Sequence, residues 1–326
     1  MTGFPHTFAL FGANGQIGSF ILHALLTCAK QSFTVKCFIP PGSPAPEEIS
    51  GKDQAECLEL DLTKISREDL AKHLQGIDVV VSALNGPALD SQILIQDAAA
   101  DAGVQRFYPS EYGMHHIYRK PNDPQGYVHP LWDSKARVNE KALLHPAIES
   151  GKMSYTLIGC GDFYNQDREK VWCPWTQKDV DSYTFHVIGD PNARADFTHL
   201  SDFAEYLVAT ICEPEKSHNA HLNFVSDTIS HTRIAELLRT YSGKPVHVEV
   251  LPESEMHIVL ARPDAAPENL RGKDVSAFPV DFWFLVKGAQ GQDRFRWPLG
   301  QRANDLFPDV KKTTFETYFR QRFEKQ

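Results

Sequence analysis

The sequence predicts an α/β fold: a doubly wound parallel sheet followed by a smaller α/β region. Three observations predict it. Short apolar runs alternate with helical patterns through the first half of the chain. One run, "IDVVVSAL" at residues 77–84, is almost continuously apolar, as a strand covered on both faces must be. The first strand runs directly into "GANGQIG", where glycines at 12, 15 and 18 separate it from a helix.

Each element follows from its pattern. Residues 7–11 read as a buried strand. Residues 16–30 read as a helix with Ile17, Phe20, Ile21, Ala24 and Leu25 on one stripe. Residues 34–39 form a second strand, stopped by "PPGSPAP", which continues neither element. Residues 56–60 form a third strand. Ser66 then caps a helix, with Asp69 three residues on as in a capping box. After the fourth strand, the Ala-rich residues 92–102 form a helix closed by Gly103, and "VQRFYPS" is the fifth strand. Residues 133–150 are expected as one helix despite Pro146, and "MSYTLIG" as strand six. Beyond Gly159 the rhythm breaks. Residues 162–175 are aromatic and irregular, "YTFHVIG" is a strand, and residues 201–212 and 230–241 are helical, with Gly243 past the second. The expected division is a dinucleotide-binding domain at 1–159 and a substrate-binding region at 160–326, partly interleaved with it.

A chain of 326 residues with 42% hydrophobic and 23% charged residues has the balance of an ordinary folded protein with a substantial core. The net charge of −9 argues against a phosphate-tracking surface, so nucleic acid is not an expected partner. No apolar run has the ~18 residues of a membrane span. The N-terminus lacks a basic region and leads straight into the glycine turn, so no cleaved signal is expected. The six cysteines form no CxxC pair and read as buried thiols in a reducing, cytoplasmic compartment.

The glycine turn carries chemistry. Gly12 permits the tight turn, Gly15 lets the backbone approach phosphates, and Gly18 lets helix and strand pack closely, so that free N–H groups face a pyrophosphate. This is the Rossmann arrangement. Asn14, Gln16 and Ile17 in the turn, and Ser82, Ala83 and Leu84 at the end of the fourth strand, complete the expected cofactor contacts. An NAD-preferring fold carries an acid at the end of the second strand. Here that place holds Phe38, Ile39, Pro40 and Pro41, with neither acid nor arginine; Lys36 or Lys52 is the positive charge nearby.

Four stretches resemble the isoflavone reductase-like and NmrA-like group of atypical short-chain dehydrogenases. They are "GANGQIG"; "VVVSALNG" with "LDSQILIQDAAADAGVQRFYPSEYG"; "SKARVNEKALLHPAIESGKMSYTLIGCGDFYNQ"; and "LFPDVKKTTFETYF". The resemblance implies an extended Rossmann domain, NADPH as cofactor, and hydride transfer to a small aromatic or polyketide-like molecule. It implies that Lys135 is the catalytic lysine, touching both cofactor and substrate. Ile39 stands where the family has an arginine. Leu131 lies four residues before Lys135, so the Tyr-x-x-x-Lys dyad of typical short-chain dehydrogenases is absent; Tyr127 is the nearest tyrosine upstream.

A reductase needs a proton donor where hydride arrives. Lys135 is the first candidate and Tyr112 the second. Ser110 and Tyr112 follow the fifth strand, at the carboxyl edge where ligands bind, and are expected to touch substrate or nicotinamide; Glu111 reads as a helix-capping carboxylate. His115 and His116 are adjacent, point apart and lack a third ligand, so no metal is expected. Phe163, Tyr164, Trp172 and Trp175 either wall an aromatic substrate pocket or pack the segment onto the domain. Phe282, Trp283 and Phe284 read as core or interface. The expected partner is a small aromatic substrate; a homodimer is compatible with the sequence, which does not fix the oligomeric state. Three functions fit: an NADPH-dependent reductase of a ketone or conjugated alkene, a dinucleotide-binding redox sensor without turnover, and a non-redox isomerase or dehydratase. Lys135 favours the first, because a sensor needs no proton donor.

Overall fold

The computed structural model describes residues 5–114 and 129–324. The first half contains β1 (Thr7–Phe11), α1 (Gln16–Leu26), β2 (Thr34–Ile39), β3 (Ala55–Glu59), α2 (Arg67–His73), β4 (Val79–Ser82), α3 (Gln92–Asp101), β5 (Arg106–Tyr108), α4 (Pro130–Leu143), α5 (Pro146–Glu149) and β6 (Ser154–Cys160). The second half contains β7 (Asp162–Phe163), β8 (Tyr183–Ile188), β9 (Arg194–Thr198), α6 (Leu200–Cys212), α7 (Pro214–Ser217), β10 (Ala220–Phe224), β11 (Asp227–Ser230), α8 (His231–Ser242), β12 (Val246–Leu251), α9 (Glu253–Ala261), α10 (Val280–Gly291) and α11 (Phe315–Phe323).

Seven parallel strands form the main sheet, in the order β10-β6-β5-β4-β1-β2-β3. This is the doubly wound α/β fold that the strand–helix alternation predicts. Strand alternation divides its core: Phe8 and Leu10 pack on one face with α1 and α6, Ala9 and Phe11 on the other with α2 and α3. The chain order reverses between β1 and β4, which opens a crevice at their carboxyl ends. A third core, containing Trp175, Phe185, Trp283 and Phe315, holds the C-terminal region together. That region has two small sheets, β11-β9-β7 and β12-β8.

The second half also completes the first. Strand β10 is the seventh strand of the main sheet, pairing with β6, and α6 packs against α1. Two helices differ from expectation. Helix α1 stops at Leu26 because both the N–H and the hydroxyl of Thr27 donate to the His23 carbonyl. The helix expected over 133–150 is two. Helix α4 starts earlier, at Pro130, where proline fits the first turn and the His129 ring accepts from Leu131 N–H. Pro146 cannot continue a helix and starts α5, capped in the same way by His145. Among the described residues no helix is long and apolar enough to cross a membrane. Cys37, Cys160 and Cys173 are buried, whereas Cys28, Cys57 and Cys212 are half-buried; none forms a disulfide, and the Cys28 and Cys212 sulfurs share a hydrogen bond at 3.8 Å.

Candidate active site

The glycine turn lies at the reversal between β1 and β4. Gly12 sits at φ +83°, and a Cβ there would come 2.9 Å from the Ala83 carbonyl oxygen. A Cβ at Gly18 would come 2.0 Å from the Gly12 oxygen, so packing dictates both glycines. Gly15 differs: its Cβ would meet only the Gly12 oxygen, at 3.1 Å. Gly15 is the N-cap of α1, no side chain caps the helix, and no acid occupies its first turn. Its free N–H groups and positive dipole end are therefore available to an anion.

A cleft of about 640 Å³ opens over this turn. Gly12, Asn14, Gly15, Gln16 and Ile17 form its floor, and Ala83 and Leu84 beyond β4 flank it. Phe38, Ile39, Pro40 and Pro41 close one end with Asp61 and Thr63; Gln166, Arg168, Glu169 and Phe278 form the facing wall. Asp61 is internally satisfied. Thr63 donates from its hydroxyl and N–H, Lys64 sits 2.9 Å away, and these partners hold its carboxyl down at about 2.

Three expected cofactor contacts lie elsewhere. Gly18 packs behind the turn. Ser82 is fully buried beneath the cleft, with no partner for its hydroxyl. Lys36 points away from the crevice, 3.1 Å from Glu56 and donating to the His73 carbonyl. Neither Lys36 nor Lys52 lines the cleft; among the described residues Arg168 is the cation that does.

The cleft continues into a smaller cavity of about 130 Å³; the two share Ile17, Asn85, Leu131, Gln166 and Phe278. Lys135 reaches it from the second turn of α4 and is only 9% exposed. Its Nζ donates to the Glu111 carbonyl at 2.8 Å and lies 5.7 Å from the Tyr112 ring centre. One turn further, Asn139 donates to the Glu111 carboxylate, so one face of α4 fixes both ends of that residue. Burial pushes the Lys135 pKa down, against the opposing pull of Glu111.

Tyr112 occupies the left-handed region at φ +49° and places its ring against the cavity. Its hydroxyl is committed elsewhere: it donates to the Ser82 carbonyl at 2.8 Å, and burial drives its pKa far above the usual range. Such a phenol is a poor proton donor, and its geometry is that of a strut between β4 and β5. Ser110 does not line the cavity. Its hydroxyl donates to the Leu84 carbonyl and its N–H to Gln92, tying the strand ends together.

The aromatic segment after β6 divides. Phe163 and Trp172 line the cavity. Tyr164 and Trp175 do not: they are 1% exposed and belong to the C-terminal core. Tyr164 stacks on Phe315 with ring centres 4.2 Å apart and donates to the Thr313 carbonyl, while Trp175 donates to the Tyr164 carbonyl. Tyr164→Ala is therefore a stability mutation, expected to cost about 3–5 kcal/mol as large aromatic truncations do. Chemical denaturation checks this; an unchanged midpoint with weakened ligand binding would return Tyr164 to the pocket. Leu131, Trp132, Asp162, Phe278 and Phe282 also line the cavity, and the sequence did not single out their role. Among the described residues no group of three His, Cys, Asp or Glu side chains could hold a metal; His115, His116 and Tyr127 lie outside them.

Known proteins resemble this arrangement over almost the whole chain. A phenylcoumaran benzylic ether reductase of Pinus taeda is 26% identical over 321 residues, covering 95% of this chain and 96% of its own. Eugenol synthase 1 of Petunia hybrida is 25% identical, with 95% and 96% covered. Among solved structures, the leucoanthocyanidin reductase–NADPH complex from Vitis vinifera superposes with a TM-score of 0.72 at 20% identity, covering 98% of this chain and 99% of that one. A mutant NmrA superposes with a TM-score of 0.70 at 15% identity, covering 99% and 96%. The NmrA-like family model matches residues 5–319, and on that match the chain belongs to the NmrA-like family.

Proposed function

We propose that the chain is an NADPH-dependent reductase of a small aromatic metabolite, a ketone or conjugated alkene, with Lys135 as proton donor. The observation that carries this is the continuity of two spaces: a cleft over an uncapped helix N-terminus runs into an aromatic cavity holding a buried ammonium. The residues present fit a dinucleotide. The cleft's volume is within the ~300–1,000 Å³ range of ligand sites, and Gly15 leaves open the space that any side chain would fill. The relatives solved with NADPH or NADP⁺ support the choice of cofactor. When bound, NADPH supplies a hydride.

The chain's own residues do the rest. The α1 N-terminus and the turn bind the pyrophosphate. Trp132, Phe163, Trp172 and Phe282 exclude water and hold an apolar ring. Lys135, anchored to Glu111 by one N–H, keeps its other protons for the substrate atom that gains negative charge. A sensor without turnover has no use for this desolvated cation, whose burial is costly.

NADPH is expected to bind more tightly than NADH, because no acid stands at the end of β2 to hold a free ribose hydroxyl. The preference should be modest, since no arginine stands there either. Fluorescence titration of both cofactors checks this, and tighter binding of NADH would contradict it.

A further inference from the structure

Asp162 is the feature of the cavity that proton donation leaves unexplained. It opens β7 directly after Gly161, where a Cβ would come 2.4 Å from the Asp196 carbonyl oxygen, so the backbone has little freedom to turn the carboxylate elsewhere. Its side chain is only 9% exposed and lines the cavity. Two donors meet it from α10, and both land on the same oxygen: Lys287 Nζ lies 3.0 Å and Gln290 Nε2 2.8 Å from Oδ2.

Those donors are themselves fixed. Lys287 is 2% exposed, lies 5.2 Å from the Trp172 ring centre and also donates to Gln290 Oε1. His231 Nε2 lies 3.0 Å from that same Gln290 oxygen, and burial pushes its pKa down to about 3, so the ring is neutral and can donate. With its oxygen taken by two donors, the Gln290 amide must present its NH₂ to Asp162.

The other carboxylate oxygen, Oδ1, accepts from no described residue and is open to the cavity. Here both donors hold one oxygen, and the other is left accessible on a residue that lines the cavity with Trp132, Phe163, Trp172 and Phe282.

The geometry points to Asp162 as the anchor for a hydroxyl group on the aromatic substrate, so that the cavity takes a hydroxylated arene and rejects its O-methyl ether. This rests on the aromatic-reductase reading above. Lys287 already supplies the charge that balances this carboxylate, and Lys135, which lines the same cavity, disfavours a cationic group. A neutral donor suits a carboxylate whose charge is already matched. The cavity of about 130 Å³ is close to the ~150 Å³ that admits benzene, enough for one ring.

The test is equilibrium titration of para-propylphenol and para-propylanisole, followed by tryptophan fluorescence, with NADPH titrated into the same preparations. Wild type should bind the phenol about 10- to 100-fold more tightly, the range of a hydrogen bond to a charged group. Asp162→Asn strands the Lys287 charge, so the second variant, Asp162→Asn with Lys287→Met, removes both charges and keeps the volume. The phenol preference should collapse in it. Equal binding of the two probes by wild type, or a preference that survives in the double variant, overturns the assignment. If neither variant folds, the wild-type ratio decides. If NADPH binds but neither probe does, the aromatic-substrate reading fails and this assignment with it. If the phenol preference holds and NADPH does not bind, the cofactor reading fails and Asp162 keeps its role.

Discussion

Lys135→Met should lower turnover by roughly 10²–10⁴-fold, the contribution of a positioned general acid, while leaving the fold intact. Methionine fills nearly the same space. Lys135 is buried rather than on an exposed helix face, so alanine would leave a void and confuse the result. The Glu111 carbonyl loses a donor, at a cost of about 1 kcal/mol; against this, a desolvated charge disappears, and stability should be little changed. The pH dependence supplies a second readout. A general acid works in its protonated form, and burial lowers the Lys135 pKa from the ordinary lysine value. Wild-type turnover should hold at lower pH and fall as pH rises through that lowered pKa. Lys135→Arg keeps its charge throughout and should lack that limb. Turnover within a few-fold of wild type in Lys135→Met would mean that water delivers the proton, since the Tyr112 hydroxyl is engaged with Ser82.

Gly15→Val should abolish useful cofactor binding in a protein that still folds. Gly15 has φ −76° and ψ 164°, extended geometry that a branched residue accepts. The new side chain would meet the Gly12 oxygen and otherwise stand in the cleft. Losing two N–H contacts to a phosphate, roughly 1.5–3 kcal/mol each, corresponds to a rise of about 100-fold or more in NADPH Kd. Gly18→Val is the contrast. Its Cβ would lie 2.0 Å from the Gly12 backbone oxygen, so it should lose the fold rather than the ligand alone. Circular dichroism with cofactor titration separates the two. A folded Gly15→Val that binds NADPH like wild type would remove the turn from the site.

The main sheet was legible because a strand buried on both faces needs a continuous apolar run, and "TFALF" and "VVVS" supply it. The seventh strand was not: "AHLNF" is short and mixed, and only its pairing with β6 makes it a strand of that sheet. In the site, Gly12, Gly15 and Lys135 were readable from motif and resemblance. The aromatic segment was not, because irregular backbone has no period from which to deduce side-chain direction; Trp172 and Trp175 both join the C-terminal core, but only Trp172 also lines the cavity. Lys36 failed for the opposite reason. Its place in β2 is regular, but its charge pairs with Glu56 on the neighbouring strand rather than at the strand end. One signal for Asp162 was present in "DFWFLVKGAQ": a lysine in so apolar a helix demands a buried partner. The identity of that partner came only with the fold.

The most direct test of the central claim is NADPH consumption by the wild-type protein against a panel of aromatic ketones and enones, with NADPH affinity measured on the same preparation. The account predicts firm binding and consumption that depends on the aromatic acceptor, lost in Lys135→Met. Firm NADPH binding with no consumption against any acceptor would contradict it and favour a dinucleotide sensor or a non-redox enzyme.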